Sequence, residues 1–381
     1  ASLFRAMKMD KGANVKDVFV QMKLTVVSAE RAHDLVHKIS RYSNSQNKIS
    51  DADFFSNHPF HIRLEGISRK LWAPAKEGTL AQTHWFYERA RGQYANEQQY
   101  LSASKKREFL IQNPKNQVLS KTDIATHYNT FRQLPHEVRR GTQKNFAGFA
   151  QYIHDRWEAT DGDLQFNETW FQEAVARALV FRATEKVVQE APWYASWGYR
   201  ATIVTYSISL LVKRLAERGL CLDLRRIWLN QQAGPAFREQ MLVLGEVVQA
   251  ALMEGAVRAG RNNPQEWGKQ PKCWDEISKL EFQFVPGLQG EVSSLDEAAE
   301  DRRDGRRVQK LLTDTEAQIK ATELGGPYWA EVLRWADDRD GISPGDLQLL
   351  SLAARIPSRI PNPKQSKRLL EIAELHSSVS V

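Results

Sequence analysis

Cysteine is scarce in this chain of 381 residues, which contains only Cys221 and Cys273. Two cysteines this far apart provide neither a disulfide framework nor the CxxC spacing of a zinc site. The sequence also lacks a run of ~20 nearly continuous apolar residues, so it predicts no membrane-spanning segment. The first residues do not show the basic start, apolar middle and small-residue cleavage site of a signal peptide. These absences favour a protein of the reducing cytoplasm.

Motifs of common catalytic chemistries are missing too. The sequence contains no GxxxxGK[ST] phosphate loop, no GxGxxG after a strand and no GxSxG nucleophile elbow. It also contains no [DE]-x-Lys tripeptide, with which restriction-type nucleases hold a metal ion and place a lysine near the scissile phosphate. His58, His61 and His84 have no cysteine partner at zinc-site spacing. We therefore predict no metal, no cofactor and no metal-dependent DNA cleavage by this chain.

Positive charge is concentrated in the first part of the chain. Residues 1–150 carry 24 Lys and Arg against 13 Asp and Glu, whereas residues 151–381 carry 29 against 33. The excess is steepest in residues 101–150, where nine cations accompany three acids. Aromatic residues are interleaved with these cations, namely Tyr128, Phe131, Phe146 and Phe149. Because cations release counterions from a phosphate backbone and aromatic rings stack on bases, we predict contact with DNA or RNA here.

The predicted nucleic-acid contacts are Lys105, Lys106, Arg107, Lys115, Lys121, Arg139, Arg140 and Lys144. The last three cations lie beside Gly141, and cations next to a glycine turn suit a bound phosphate. The alternative is that the cations form a solvated face and the aromatic rings belong to the core.

The periodicity predicts an α+β fold that is predominantly α-helical, with a small basic α/β N-terminal part followed by helical regions. The β-branched run at residues 18–27 and the aromatic run at residues 84–87 predict strands. We expect strands only before residue 115 and an almost wholly helical region over residues 165–260.

Helix-start signals and composition divide the chain further. Asn167, and Ser343 followed by Pro344, are typical helix starts. We predict a basic α/β portion at 1–160, a helical portion at 161–285 and a C-terminal helical extension at 286–381, with a linker over 286–300. The first residues resemble the middle of a helix, which predicts a portion upstream of Ala1.

Several phrases follow one another in a recognisable order. They include Asn44-Ser45-Gln46-Asn47, Tyr87-Glu88-Arg89-Ala90-Arg91-Gly92 and Gly141-Thr142-Gln143-Lys144-Asn145-Phe146. This order resembles the abortive-infection phage resistance (AIPR) family of bacterial defence proteins over most of residues 15–280. The motif residues are Asn44, Gln46, Asn47, Tyr87, Glu88, Arg89, Arg91, Gly92, Gly141, Gln143, Asn145 and Phe146.

The resemblance implies a role in resistance to phage and a possible phage component as partner. It also implies an upstream half of the same protein, preceded in some members by a restriction-nuclease-like domain. It transfers no catalytic residue, so we expect no activity in this chain alone. The motif residues also have structural explanations, such as a Glu88–Arg89 or Glu88–Arg91 ion pair and a positive φ at Gly141.

Two other functions remain open at this point. One is a protein-interaction or sensor module that regulates an upstream nuclease-like domain, with Trp193, Tyr194 and Trp197 as exposed anchors. The other is a metal-independent ribonuclease, because Arg31 and His37 have the Arg-x5-His spacing of some helical ribonucleases.

Overall fold

The computed structural model describes residues 55–75, 82–99, 101–194, 198–337, 339 and 342–379. The predicted strand at residues 18–27 and the helix expected after it lie outside this range. Over the described residues the chain is predominantly α-helical with a few short strands, which confirms the predicted fold class. The three predicted domain boundaries stay predictions.

The first described part mixes short helices and strands. Its elements are α1 (Pro59–Lys70), β1 (Trp72–Ala73), β2 (Thr83–His84), β3 (Phe86–Glu88), α2 (Gln93–Gln99), α3 (Ala103–Gln112) and β4 (Val118–Ser120). β1 pairs with β2 in antiparallel fashion, and β3 pairs with β4 in parallel, with Tyr87 opposite Leu119. The strand predicted near residues 84–87 is present, but β4 lies beyond residue 115, where no strand was expected.

Long helices follow β4. They and the short helices between them are α4 (Lys121–Phe131), α5 (Pro135–Arg139), α6 (Thr142–Ala159), α7 (Gly162–Gln165), α8 (Glu168–Glu190), α9 (Arg200–Ala216), α10 (Leu224–Asn230), α11 (Pro235–Arg258), α12 (Pro264–Trp267) and α13 (Pro271–Ile277). Ser120 and Asp123 form a capping box at the start of α4, and the Asn167 side chain accepts a hydrogen bond from the Trp170 amide at 3.1 Å. Between α9 and α10 lies β5 (Leu220–Leu222), a small exception to the predicted all-helical region.

These helices enclose the main core. α8, α9 and α11 pack against one another, while α4 packs against α6, α8 and α9. Val175 of α8, Ile208 of α9 and Leu244 of α11 are fully buried. Among the described residues, α11 is the one helix long and apolar enough to cross a membrane by length and composition, with mean hydropathy 1.3. α11 packs against α8 and α9, as a core helix does, and core helices can meet the same criteria of length and composition.

The expected linker over residues 286–300 is wrong. A 3-10 turn at Pro286–Glu291 buries Leu288, and β6 (Val292–Ser294) pairs with β5 in antiparallel fashion. The Glu291 carboxylate accepts hydrogen bonds from the Ala236 and Phe237 amides, each at 3.0 Å. An anion at a helix N-terminus is stabilised by the free amides there. This segment therefore packs on the main core and caps α11.

The C-terminal part consists of α14 (Leu295–Asp337), α15 (Pro344–Ala353) and α16 (Pro363–Val379). The α14 stretch is interrupted at Gly325, which has φ +77°. A second cluster, the C-terminal core, joins the three helices and includes Ala321, Trp329, Val332, Leu350, Leu369 and Ile372. The predicted helix start at Ser343 is confirmed, and Ser343 forms a capping box with Asp346.

Asp346 ties α15 to α16 and makes the C-terminal core sensitive to acid. Arg368 donates to both Asp346 carboxylate oxygens at 2.8 Å, and the Ser343 hydroxyl donates to one of them at 2.9 Å. The Arg368 hydrogen bonds lower the pKa of Asp346, burial opposes them, and the Ser343 hydrogen bonds lower it further. A lowered pKa contributes stability above the unfolded value of about 3.9, and this stability is lost as the pH falls below it.

We expect Asp346→Asn to lower the free energy of unfolding by about 1.5 kcal/mol at pH 7, since the arginine partner is half-exposed and solvent screens it. Urea denaturation at pH 7 and at pH 3 measures the effect, and the difference from the wild type should shrink at pH 3. Asp314→Asn, which removes a more exposed ion pair with Lys367, is the control and should change stability less. An equal loss at both pH values would contradict the argument.

Candidate functional site

Three of the predicted nucleic-acid contacts form an exposed basic surface on α3. Lys105, Lys106 and Arg107 are all exposed, and α3 has no buried residue. The helix is held to β3 and α2 by Phe109, whose ring lies 5.9 Å from that of Phe86 and 5.5 Å from that of Tyr94. None of the three cations forms an ion pair with a residue that the structure describes. Their charges are therefore available to a polyanion.

Lys115 and Lys144 are also exposed and have no ion pair within the described ranges. Lys115 begins the short turn after α3, and Lys144 lies in the first turn of α6. These two lysines keep the exposure that a phosphate contact requires.

The other predicted contacts are less available to a polyanion, because they are buried or paired. Lys121 is 5% exposed, and its ammonium lies 5.8 Å from the centre of the Phe146 ring. Arg139 is half-buried, its Nε has no hydrogen-bond partner among the described residues, and burial lowers its pKa. Arg140 donates to the Glu137 carboxylate at 2.9 and 3.0 Å. Gly141 has the positive φ expected of it, +115°, and of the three cations near it Lys144 is exposed without an ion pair to a described residue.

The family motif at residues 87–92 builds the connection between β3 and α2. The Glu88 carboxylate accepts from the Gly92 amide at 2.8 Å and from the Tyr94 amide at 3.3 Å, rather than pairing with a neighbouring arginine. Gly92 has φ +80°, which favours glycine at this turn. Arg91 is exposed. These contacts give the motif a structural role.

Arg89 anchors the same connection to α1. It donates to the Glu65 carboxylate at 2.7 Å, and to the Ser56 carbonyl and the Asn57 side chain at 2.8 Å each. Burial raises the pKa of Glu65, but the hydrogen bonds from Arg89 and Gln93 outweigh it and lower the pKa overall. Arg89 is thus paired with Glu65 instead of the predicted Glu88.

The motif at residues 141–146 joins α4 to α6. The Asn129 side chain donates to the Asn145 side-chain oxygen at 2.8 Å, and Asn145 donates to the Thr126 hydroxyl at 3.2 Å. Gln143 is exposed, whereas Phe146 is fully buried.

The two motifs meet at the buried side chain of His61. Its Nδ1 lies 2.5 Å from the Tyr87 hydroxyl, and its ring stacks on those of Tyr87 and Phe146 at 6.1 and 5.9 Å. Burial, followed by the charges of His58, Lys121 and Arg89, lowers the pKa of His61. The imidazole is therefore neutral at physiological pH. Across the described ranges, no group of three His, Cys, Asp or Glu could hold a metal ion.

A cleft of about 700 Å³ opens between the main core and α14. The cleft is lined by Tyr128, Phe131 and Arg132, which belong to the basic residues 101–150. It is also lined by arginines that the sequence did not indicate, namely Arg156, Arg177, Arg225 and Arg302. These arginines come from separate helices, so no local pattern in the sequence indicates that they converge. The cleft is the second candidate site.

The anchors of the sensor hypothesis are only partly placed. Trp193 and Tyr194 are half-buried and pack against the main core. Trp197 lies outside the described residues. So do Arg31 and His37, the candidate ribonuclease pair, and the motif residues Asn44, Gln46 and Asn47.

The comparisons with known proteins give one match. The family model described as AIPR protein matches residues 1–256, which is more than half of the chain. No curated protein and no solved structure matches.

Proposed function

The chain belongs to the AIPR family, and on that premise we propose that it contacts nucleic acid through the basic surface of α3 as part of a phage-defence protein. Family membership associates the chain with abortive infection. The observation that supports nucleic-acid contact is the set of exposed cations Lys105, Lys106 and Arg107 on a helix that buries no residue. Packing of Phe109 holds this helix in place but leaves the three charges without an ion pair among the described residues, and a polyanion would supply that partner.

Phosphate neutralisation supplies the affinity in this proposal. Each phosphate contacted on duplex DNA steepens the log–log dependence of the binding constant on salt by about 0.9. Exposed cations on one helix contact backbone phosphates without reading bases, so sequence preference is expected to be weak. Lys115 and Lys144 add further phosphate contacts where the nucleic acid bound at α3 is long enough to reach them.

The test is the salt dependence of DNA and RNA binding. We expect the triple variant Lys105→Ala, Lys106→Ala, Arg107→Ala to flatten the slope by up to about three units on duplex DNA, with little change in sequence preference. Fluorescence anisotropy over a salt series measures this. The triple variant should stay folded, because surface cations contribute only about 0–1 kcal/mol to stability.

A matched control variant separates the effect of where the three cations lie from the effect of removing three positive charges. Lys186, Lys279 and Lys364 are exposed and lie on other parts of the chain, so replacing all three with alanine removes the same charge. The control should leave the slope nearly unchanged. A folded α3 variant with the wild-type slope, or an equal loss in the control, would reject the proposal.

A protein-interaction or sensor module remains the second candidate function. Its predicted anchors Trp193 and Tyr194 pack against the main core, so no described observation favours it over nucleic-acid contact. The ribonuclease alternative rests on Arg31 and His37 alone and stays a prediction.

A further inference from the structure

Two arginines enclose a tyrosine at one side of the cleft. The Arg132 guanidinium carbon lies 3.7 Å from the centre of the Tyr152 ring, and Arg156 Nε donates to the Tyr152 hydroxyl at 3.2 Å. Both arginines are exposed, and neither forms an ion pair with a described residue. Burial raises the pKa of Tyr152, but hydrogen bonds from Tyr128 and Arg156 and the two arginine charges outweigh it and lower the pKa overall. The local potential is therefore positive.

Arg177 adds a buried and incompletely paired guanidinium to the same side. Its residue is 7% exposed, and its Nη2 donates to the Glu173 carboxylate at 2.7 Å. Its Nε and Nη1 are buried and have no hydrogen-bond partner among the described residues. The guanidinium carbon lies 5.3 Å from the Tyr128 ring centre, and the Tyr128 and Tyr152 hydroxyls are 3.4 Å apart. Buried donors are rarely left unpaired, so the positive charge of Arg177 is incompletely compensated within the described residues.

The carboxylate of Glu173 does not cancel this positive charge. Its second oxygen accepts from Arg302 at 2.7 Å, so one carboxylate is shared by two guanidinium groups. Arg132 and Arg156 also lack an ion pair with a described residue, so these four arginines share one paired carboxylate, although the whole lining holds as many acids as arginines. Guanidinium groups bind phosphate oxygens with charge-assisted hydrogen bonds, which suits the exposed Arg132 and Arg156, while Arg177 adds a buried positive charge beside them.

Other lining elements supply hydrogen-bond acceptors. Asp223 lines the cleft and caps α10, with its Oδ1 accepting from the Arg226 amide at 2.8 Å, and it has no ion pair to a described residue. Asp301 on α14 is paired with Arg225 at 2.8 Å. The cleft thus offers donors from arginine and free acceptor capacity from Asp223.

We propose that this cleft binds a nucleoside phosphate, whose phosphate oxygens accept from the exposed Arg132 and Arg156 beside the buried charge of Arg177, and whose ribose hydroxyls donate to Asp223. A volume of about 700 Å³ falls in the range of small-molecule sites, about 300–1,000 Å³. Phe131 and Trp170 also line the cleft and provide apolar surface for the base. This site uses residues other than the basic surface of α3 and goes beyond nucleic-acid contact.

The test is isothermal titration calorimetry of the whole chain with AMP, ADP and ATP, and with adenosine and inorganic phosphate as partial ligands. We expect saturable binding of at least one nucleotide at one site per chain, tighter than either partial ligand. Arg132→Gln and Arg156→Gln should each weaken it by about tenfold or more, as expected for loss of a charge-assisted hydrogen bond. Arg107→Gln on α3 is the matched control and should bind as the wild type does.

Several results would overturn this assignment. They are no saturable binding of any of the three nucleotides, wild-type affinity in both folded cleft variants, or an equal loss in the α3 control. Inorganic phosphate bound as tightly as AMP would reject a nucleoside ligand. Because the cleft variants leave α3 intact, DNA binding in the same variants reports separately on the proposed function.

Discussion

Replacing Phe146 with alanine is expected to lower the free energy of unfolding by about 3–5 kcal/mol, as for other fully buried phenylalanines. Phe146 belongs to one of the family phrases, yet its ring is fully buried against His61 and Phe149. Removing it leaves a cavity where α6 packs beside α1 and takes the ring from under the Lys121 ammonium. Chemical denaturation followed by circular dichroism measures the loss.

Gln143 provides the control for Phe146. It belongs to the same phrase and the same helix, but its side chain is exposed. Gln143→Ala should change stability by no more than about 0.5 kcal/mol, as usual for surface positions. If Phe146→Ala left stability within that margin, the packing described for this ring would be incorrect.

Gly326→Ala is expected to destabilise the C-terminal core by about 2–3 kcal/mol, the upper range for overpacking. A methyl group at Gly326 would lie 2.6 Å from the carbonyl oxygens of Ala354 and Ile356. Both are backbone atoms and cannot rotate away as a flexible side chain would. The helix that begins after Gly325 would have to move away from the end of α15. Thermal unfolding of the variant measures the effect.

Gly66→Ala is the opposite case and serves as the comparison. Gly66 lies inside α1, and a methyl group there would have no neighbour within 4 Å. Alanine is preferred over glycine in a helix by about 0.5–1 kcal/mol, so this variant should be more stable than the wild type. Destabilisation by both glycine substitutions alike would show that the close approach at Gly326 is not the cause.

Helix starts were predictable because their signals are local. The Ser120–Asp123 and Ser343–Asp346 pairs lie three residues apart, and the Asn167 cap bonds an amide three residues on. A cap needs no information from distant parts of the chain. The three-residue strands β4, β5 and β6 were missed because so short a run has no clear period, and pairing with a distant segment makes it a strand.

The candidate sites were even harder to predict from local sequence signals than the short strands. Lys105 and Lys121 have the same charge in the sequence, but α3 buries nothing, whereas α4 begins against α6 and encloses Lys121. The arginines of the cleft come from α6, α8, α10, α14 and the end of α4, and only helix packing brings them together. Charge composition therefore predicted the basic surface of α3 but not the arginine-lined cleft.

The first helical portion of α14 contacts the helices of the main core near its start and belongs to the C-terminal core near its end. Near its start, Arg302 donates to Glu173 of α8, and near its end the Ala321 carbonyl accepts from Trp329 within the C-terminal core. Residues 295–324 of a helix span about 45 Å at 1.5 Å per residue. A rod of this kind resists bending far more than a flexible tether does. The N-terminal part of this helix therefore forms one wall of the cleft, and its C-terminal part packs in the C-terminal core. Because the helix is stiff, a tilt of that wall would displace the C-terminal core by a larger distance.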